Sequence, residues 1–351
     1  MSIRKALGAT AAMLSVAILP APGFGQSVAD FYKGKEIAIL VGAGVGGGYD
    51  LYARAIARHW GRHIPGNPVM IVQNMPAGAG VAMLNHLASR APTDDTVMGS
   101  AVAASVVDPV GGDPAILYDS RKLQWIGNIS PQLTACFIRT DHPAKTLDDI
   151  RDKEVIVAAT AADNAGAVVP NIFNTLVGTK FKVVIGYSAA EVTLSVERAE
   201  TDAACLSITG AFKARLDQDA ELQKKLKWFV AMSTSPVAAL PGVPPASDYI
   251  KTQEGRQILD LLVARVAIGR PFVMPPGVPA DRVEAVRKAF FATLKDPEFL
   301  AEAAKAKLEI DPIDHVMMEK MINDAYATPP NVIKAAYDMM RGAETASTKK
   351  Q

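Results

Sequence analysis

Cysteine is scarce: the 351 residues contain two, Cys136 and Cys205. That excludes a small fold held by a disulfide framework, and a chain this long can bury cores for two domains without one. Aromatic residues make up 6%, and neither sign of charge dominates, with 37 Lys and Arg against 36 Asp and Glu. No basic patch is interleaved with aromatics, so nucleic acid is not an expected partner. Low-complexity tracts and fixed-period repeats are missing. Neither H-E-x-x-H nor G-x-S-x-G occurs, which removes two common hydrolase signatures. The remaining composition, 49% apolar and 21% charged, is that of an ordinary soluble α/β protein.

The first 25 residues differ from the rest. Arg4 and Lys5 precede an uncharged run, Ala6 to Leu19, then Pro20, Pro22 and Gly23-Phe24-Gly25. Fourteen helical residues reach roughly 21 Å, short of a hydrocarbon core of roughly 30 Å. The pattern reads as a secretory signal peptide cleaved near Gly25, in preference to a membrane anchor. No cysteine follows the run to carry a lipid. The expected location is the periplasm, and the mature chain, without Arg4 and Lys5, carries 35 basic and 36 acidic residues. In an oxidising compartment Cys136 and Cys205, in the apolar segments LTACFIRT and DAACLSI, either pair or remain two buried thiols.

Beyond residue 25, strand-like and helix-like segments alternate. EIAILVG, VMIVQN and TVMGSAVA read as strands, with LYARAIARHWGRH and VAMLNHLASR as the helices between them. This βαβαβ order opens a parallel, doubly wound sheet. A second run begins near Trp125, where WIGNI, ACFIRT, VIVAAT, KVVIGY, DAACLSI and KWFVAMS read as strands. Helices are expected over 168–176 and 190–199, and a short one at TLDDIRD capped by Thr146. After the proline-rich ALPGVPPASDY come helix QILDLLV, strand VAIGRPFV and a helical C-terminal region from Pro279 onward. The expected organisation is lobe 1 over 26–128, lobe 2 over 129–245, and a return to lobe 1 over 246–351.

The segment ILVGAGVGGGYD, residues 39–50, carries the chemistry. A strand, a glycine turn and a helix start expose unpaired N–H groups beside the positive end of a helix dipole, and such a site binds anions of many kinds. Gly42, Gly44 and Gly47 match G-x-G-x-x-G. The dinucleotide form also needs an acidic residue at the end of the second strand for the ribose hydroxyls. Here that strand ends Val72-Gln73-Asn74. Asp50 would face any pyrophosphate bound closely; it is read as a helix cap or loop acceptor, with water-mediated ligand contact as the alternative. A second small-residue turn, NMPAGAGVAML, opens the next helix. Two such turns at the carboxyl edge of one sheet suit a carboxylate.

FYKGKEIAILVGAGVGGGYDLYARAIARH followed by VQNMPAGAGVAML resembles the periplasmic solute-binding receptors of tripartite tricarboxylate transporters, the Bug family. AATAADNAG, VVIGYSAAEVTLSVERAETDAA, LPGVPPASDY and FVMPPGVPADRVEAVRKAFFATLKDPEFL fit in order. The resemblance implies an α/β, two-lobed periplasmic binding protein fold of type II-like form. Each lobe would be a mostly parallel doubly wound sheet, with a cleft between them for a small organic acid. It implies a receptor that performs no chemistry and holds no cofactor or metal. The turns matching Gly47, Gly48, Tyr49 and Asp50, and Ala77, Gly78 and Ala79, would hold one ligand carboxylate, partly through ordered water. Ala162 and Asn164 would close over the far end, with Ser100, Tyr187 and Ser207 as further cleft-facing positions. The implied partners are membrane transporter subunits, and the receptor is expected to be a monomer. The alternatives are an exported nucleotide-binding enzyme using the glycine loop, or a receptor feeding a signalling system.

Two positions depart from the family pattern. Tyr49 stands where Thr or Ser is usual, and the second turn reads PAGAGV in place of P-G-A-G-G. A phenol there could narrow the cleft, stack on an aromatic acid or bond a second polar group; otherwise it packs on the neighbouring helix. A tricarboxylate ligand is therefore not carried over. His59 and His63 read as cations at a helix end in preference to a metal pair. Arg270 either meets an anionic ligand or bridges to a surface carboxylate.

Overall fold

The computed structural model describes residues 27–162, 164–208, 211–346 and 348–349. The segment read as a signal peptide lies outside the described residues. Along the first lobe run α1 (Val28–Tyr32), β1 (Glu36–Val41), α2 (Gly48–Trp60), β2 (Val69–Asn74), α3 (Val81–Ser89), β3 (Val97–Ser100), α4 (Ala103–Val107) and β4 (Gln124–Asn128). The second lobe has β5 (Thr134–Arg139), β6 (Val155–Ala159), α5 (Ala165–Val177), β7 (Phe181–Ile185), α6 (Ala189–Glu197), β8 (Ala203–Ser207), α7 (Ala211–Gln218), α8 (Ala220–Lys225) and β9 (Leu226–Ala231). The chain returns through α9 (Gln253–Ala267), β10 (Pro271–Met274), α10 (Ala280–Thr293), α11 (Pro297–Lys305), β11 (Ile313–Asp314) and α12 (His315–Tyr326). It ends with α13 (Pro330–Ala346) and β12 (Thr348–Lys349).

Two six-stranded sheets result, in the orders β11-β4-β10-β3-β1-β2 and β12-β7-β6-β8-β5-β9. Strands β2, β1 and β3 are parallel because each crossover passes through a helix. Ile37, Ile39 and Val41 of β1 pack into a cluster with Ile56 and Trp60 of α2, whereas Leu40 belongs to the cluster of Met83, Leu84 and Leu87 of α3. Helices thus cover both faces, which is why β1 reads as a continuous apolar run. Besides the short edge strand β11, antiparallel to β4, two strands oppose their neighbours for a topological reason. The chain leaves β4 at the carboxyl edge of the first sheet and enters β5 directly, so β5 starts beside the end of β8, Thr134 opposite Ser207, and runs antiparallel to it. β10 enters the first sheet the same way, antiparallel to both β3 and β4.

The two crossings run side by side. The Arg270 N–H donates to the Ser130 carbonyl (3.2 Å), and the Ile129 N–H donates to the Arg270 carbonyl (3.3 Å). Gly269 has φ +69° and lies so close that a Cβ would fall 2.1 Å from the Ser130 oxygen. Only glycine fits there.

Cys136 and Cys205 face each other on β5 and β8 and are joined as a disulfide. Three features differ from the pattern read in the sequence. Helix α9 continues to Ala267 and overruns the strand expected from Val266, so β10 starts only after Gly269 and Arg270. The short helices α4, α7 and α8 were not anticipated. The C-terminal helices do not all return to lobe 1: α12 packs on β4, but α13 lies against α5 and α9, and β12 extends the second sheet beside β7. Val332, Ala336 and Met340, four apart, give α13 one buried apolar stripe that joins the cluster of Val169, Ile172 and Phe173 on α5. No helix among the described residues is long and apolar enough to cross a membrane.

Candidate ligand-binding site

Both small-residue turns occupy the carboxyl edge of the first sheet. The Gly42 N–H donates to the Ser100 carbonyl (3.0 Å), and the Met75 N–H donates to the Val41 carbonyl (2.7 Å), which ties the turns after β1 and β2 to the sheet. A Cβ on Gly42 would stand 3.0 Å from Gly80 Cα, and one on Gly80 would stand 3.1 Å from Val102 Cγ2. Three turns therefore meet where side chains would not fit. Gly78, Ala79 and Gly80 are all left-handed, with φ of 61°, 50° and 92°. For Ala79 this conformation costs on the order of 1–2 kcal/mol. Gly47, Gly48, Ala77, Gly78 and Ala79 are exposed.

Asp50 is buried and serves the loop. Its Oδ2 accepts from the Gly46 N–H (2.9 Å), Arg54 Nε bonds both oxygens at 3.0 Å, and Asn74 Nδ2 reaches Oδ1 at 2.9 Å. Burial pushes its carboxyl up, but the hydrogen bonds from Arg54, the Gly46 N–H and Asn74 outweigh it and hold the group below the usual range. Asn74 also donates to the Ala43 carbonyl (2.9 Å). The residue that ends β2 in place of a ribose-binding carboxylate is thus a brace between the first turn and its aspartate.

Tyr49 is half-buried. Its hydroxyl accepts from the Ala103 N–H (3.0 Å), an otherwise unpaired donor at the start of α4, and lies 3.5 Å from Gln132 Oε1. It both packs on the neighbouring helix and faces an inter-lobe cavity of about 540 Å³. Ala79 and Val102 complete the first-lobe wall, and Thr134, Ala165 and Val168 stand across from them. Helix α9 closes the floor with Leu262, Val263 and Val266.

Arg270 holds the least compensated charge here. Its side chain is 8% exposed, and Nε and Nη1 are buried without a hydrogen-bond partner. The guanidinium stacks on Tyr52, 4.3 Å from the ring centre, and Nη2 comes within 3.8 Å of where a Gly48 Cβ would lie. Burial pushes the Tyr49 hydroxyl up, partly offset by the Ala103 N–H and by the positive charge of Arg270. A buried cation beside the positive end of α2 is costly unless an anion joins it. No surface carboxylate bridges to Arg270 among the described residues.

The other expected positions lie apart from that cavity wall. Ser100 ends β3 fully buried, its Oγ without a partner. On the second lobe, Asn164 caps α5, its Oδ1 accepting from the Gly166 N–H (2.7 Å), and Ala162 precedes it. Tyr187 is buried with Ala158, Val192 and Val196, and Ser207 is half-buried at the end of β8. Sequence reasoning left Arg270 open and missed Gln132, Thr134 and α9. Gln132 and Thr134 sit in and just after the crossing, and α9 was truncated by the misread strand. His59 and His63 bond Glu302 (2.8 Å) and Asp296 (2.7 Å). Arg62 donates to Asp296 and Glu298, so these groups clamp α2 to α11 as an ion-pair network.

No family model matches the chain, and no curated protein matches it in sequence. Solved structures do match. The ligand-free TctC solute binding protein from Polaromonas superposes with a TM-score of 0.68 at 18% identity, over 87% of this chain and 99% of its own. The periplasmic binding protein BugD gives 0.50 at 16%, over 91% and 100%. The chain has a periplasmic binding protein fold. MatC from Rhodopseudomonas palustris, with bound malate, has the same fold, at a TM-score of 0.52 and 14% identity over 89% and 98%. In this fold Tyr49 and Ala79 of the two turns line the cavity between the lobes, and Arg270 sits in one of the two crossings.

Proposed function

We propose that this protein is a periplasmic receptor that captures a small organic carboxylate between its lobes and presents it to a tripartite tricarboxylate-type membrane transporter. The observation that carries the proposal is Arg270, a buried guanidinium without an anion beside the first turn of α2. Asp50 does not supply that anion, because Arg54 already neutralises it. The local charge favours one added carboxylate, and the exposed backbone of Gly47, Gly48, Gly78 and Ala79 leaves room for it to approach. The malate bound by MatC, a protein of the same fold, supports this ligand class. Closure around the crossings at 129–133 and 268–271 would bring Ala162 and Asn164 of the second lobe over the ligand, driven by tighter binding to the closed state. No reaction is part of this role.

A thermal-shift panel of mono-, di- and aromatic carboxylates tests it. An acid at about 100 times its Kd adds roughly 2.7 kcal/mol of stability. Arg270→Gln, which removes the charge and leaves a shorter polar side chain, should abolish the shift while the unliganded protein still melts cooperatively. A shift that survives this substitution would remove Arg270 from the site.

A further inference from the structure

The walls around Tyr49 say which kind of acid fits. The cavity of about 540 Å³ is within the range of small-molecule sites and is lined mainly by Ala, Val, Leu, Ile and Met side chains. Its polar atoms come from Tyr49, Gln132 and Thr134, and its one charged lining residue among those described is Arg265. That charge is already spent. Arg265 Nε and Nη2 bond the two oxygens of Asp108 at 2.6 and 3.2 Å, and Nη1 contacts the Met340 sulfur at 3.1 Å. Tyr337 donates to the same Asp108 (3.1 Å) and fixes the pair from α13. Helix α5 presents Ala165, Val168, Val169 and Ile172 to the cavity, while its capping capacity is engaged by Asn164. The uncompensated cation lies elsewhere, at Arg270, close enough to Tyr49 to act on its hydroxyl.

On the receptor reading, we infer that the ligand is a monocarboxylate with an apolar body, its carboxylate at Arg270 and its hydrocarbon part against α5 and α9. A second carboxylate would be buried against Val168, Ile172 and Val263 with no free cation among the described side chains to meet it. Burying a charge without a partner is among the costliest changes a site can face. An apolar chain in the same place gains by leaving water. The fold thus accommodates malate in MatC, while this chain's walls are built for a different acid.

Octanoate and suberate make a matched pair, eight carbons each and differing in one carboxylate. Calorimetric titration of the full chain should show one octanoate site, with suberate at least about tenfold weaker. Octanol, lacking the charge, should bind as poorly as suberate, and Arg270→Gln should remove octanoate binding. Asp108→Asn, which frees Arg265, should narrow the octanoate–suberate gap. Val168→Lys adds a cation on α5 and predicts the same narrowing should Asp108→Asn fail to fold. Suberate or malate binding as tightly as octanoate overturns the inference and leaves the carboxylate receptor standing. Failure of every acid in the panel overturns the receptor reading with it.

Discussion

Asp95 shows how far one side chain can depart from its ordinary chemistry. It sits fully buried in a left-handed turn before β3, with φ +69°, and neither carboxylate oxygen has a partner. Burial pushes its carboxyl up to about 8, with only partial relief from the Arg282 charge. The unfolded group titrates near 4, so the folded state holds the proton more tightly. Stability from this site is complete below about pH 4 and is lost as pH rises toward 8, a cost on the order of 4 kcal/mol by pH 7. Asp95→Asn, whose side chain tolerates the left-handed turn, should therefore melt higher than the parent at pH 7 and no higher at pH 4. Equal gains at both pH values would contradict a raised carboxyl. Residues were unevenly legible in the sequence. Asp50 was readable as a loop acceptor because Gly46 and Arg54 lie four residues away, whereas the partners of Tyr49, Ala103 and Gln132, are distant in sequence. For Arg270 the alternatives were an anionic ligand or a surface carboxylate, and choosing between them needs the fold, which sets its guanidinium on Tyr52 beside Gly48 with no carboxylate in reach among the described residues.

At the scale of elements, the parallel strands were plain because they are apolar runs bounded by turns, and β2 was read to the residue. The end of α9 was not, because Val266 and Ala267 suit helix and strand alike and only Gly269, forced left-handed against Ser130, decides the break. α13 was assigned to the wrong lobe because order along the chain does not say which face its Val332–Ala336–Met340 stripe will cover. The cysteine alternatives resolve by register: β5 runs antiparallel to β8, which sets Cys136 opposite Cys205. The bond spans 69 residues of sequence. In the chain-entropy account a loop of that size is worth about 4.4 kcal/mol, and native-state strain brings typical values to about 2–4 kcal/mol. The double substitution Cys136→Ala with Cys205→Ala should lower the denaturant midpoint accordingly, while adding reductant should change the parent and not the variant. An unchanged midpoint would mean the bond does not constrain the unfolded chain.

For the whole molecule, two sheets are joined by a pair of hydrogen-bonded crossings, and Tyr49, Ala79, Gln132 and Thr134 line the cavity between them. The glycine loop that matches a nucleotide fingerprint is, in this setting, braced by Asp50, Arg54 and Asn74 and flanked by a cation in need of a partner. That arrangement favours a carboxylate over a pyrophosphate, whose larger charge would lie against Asp50. The most direct measurement is a pair of titrations on one preparation: a carboxylate panel by calorimetry, and NADH by fluorescence. The receptor account predicts saturable one-to-one binding of at least one acid, lost in Arg270→Gln, and no fluorescence change with NADH. Saturable NADH binding with no response to any acid would contradict it.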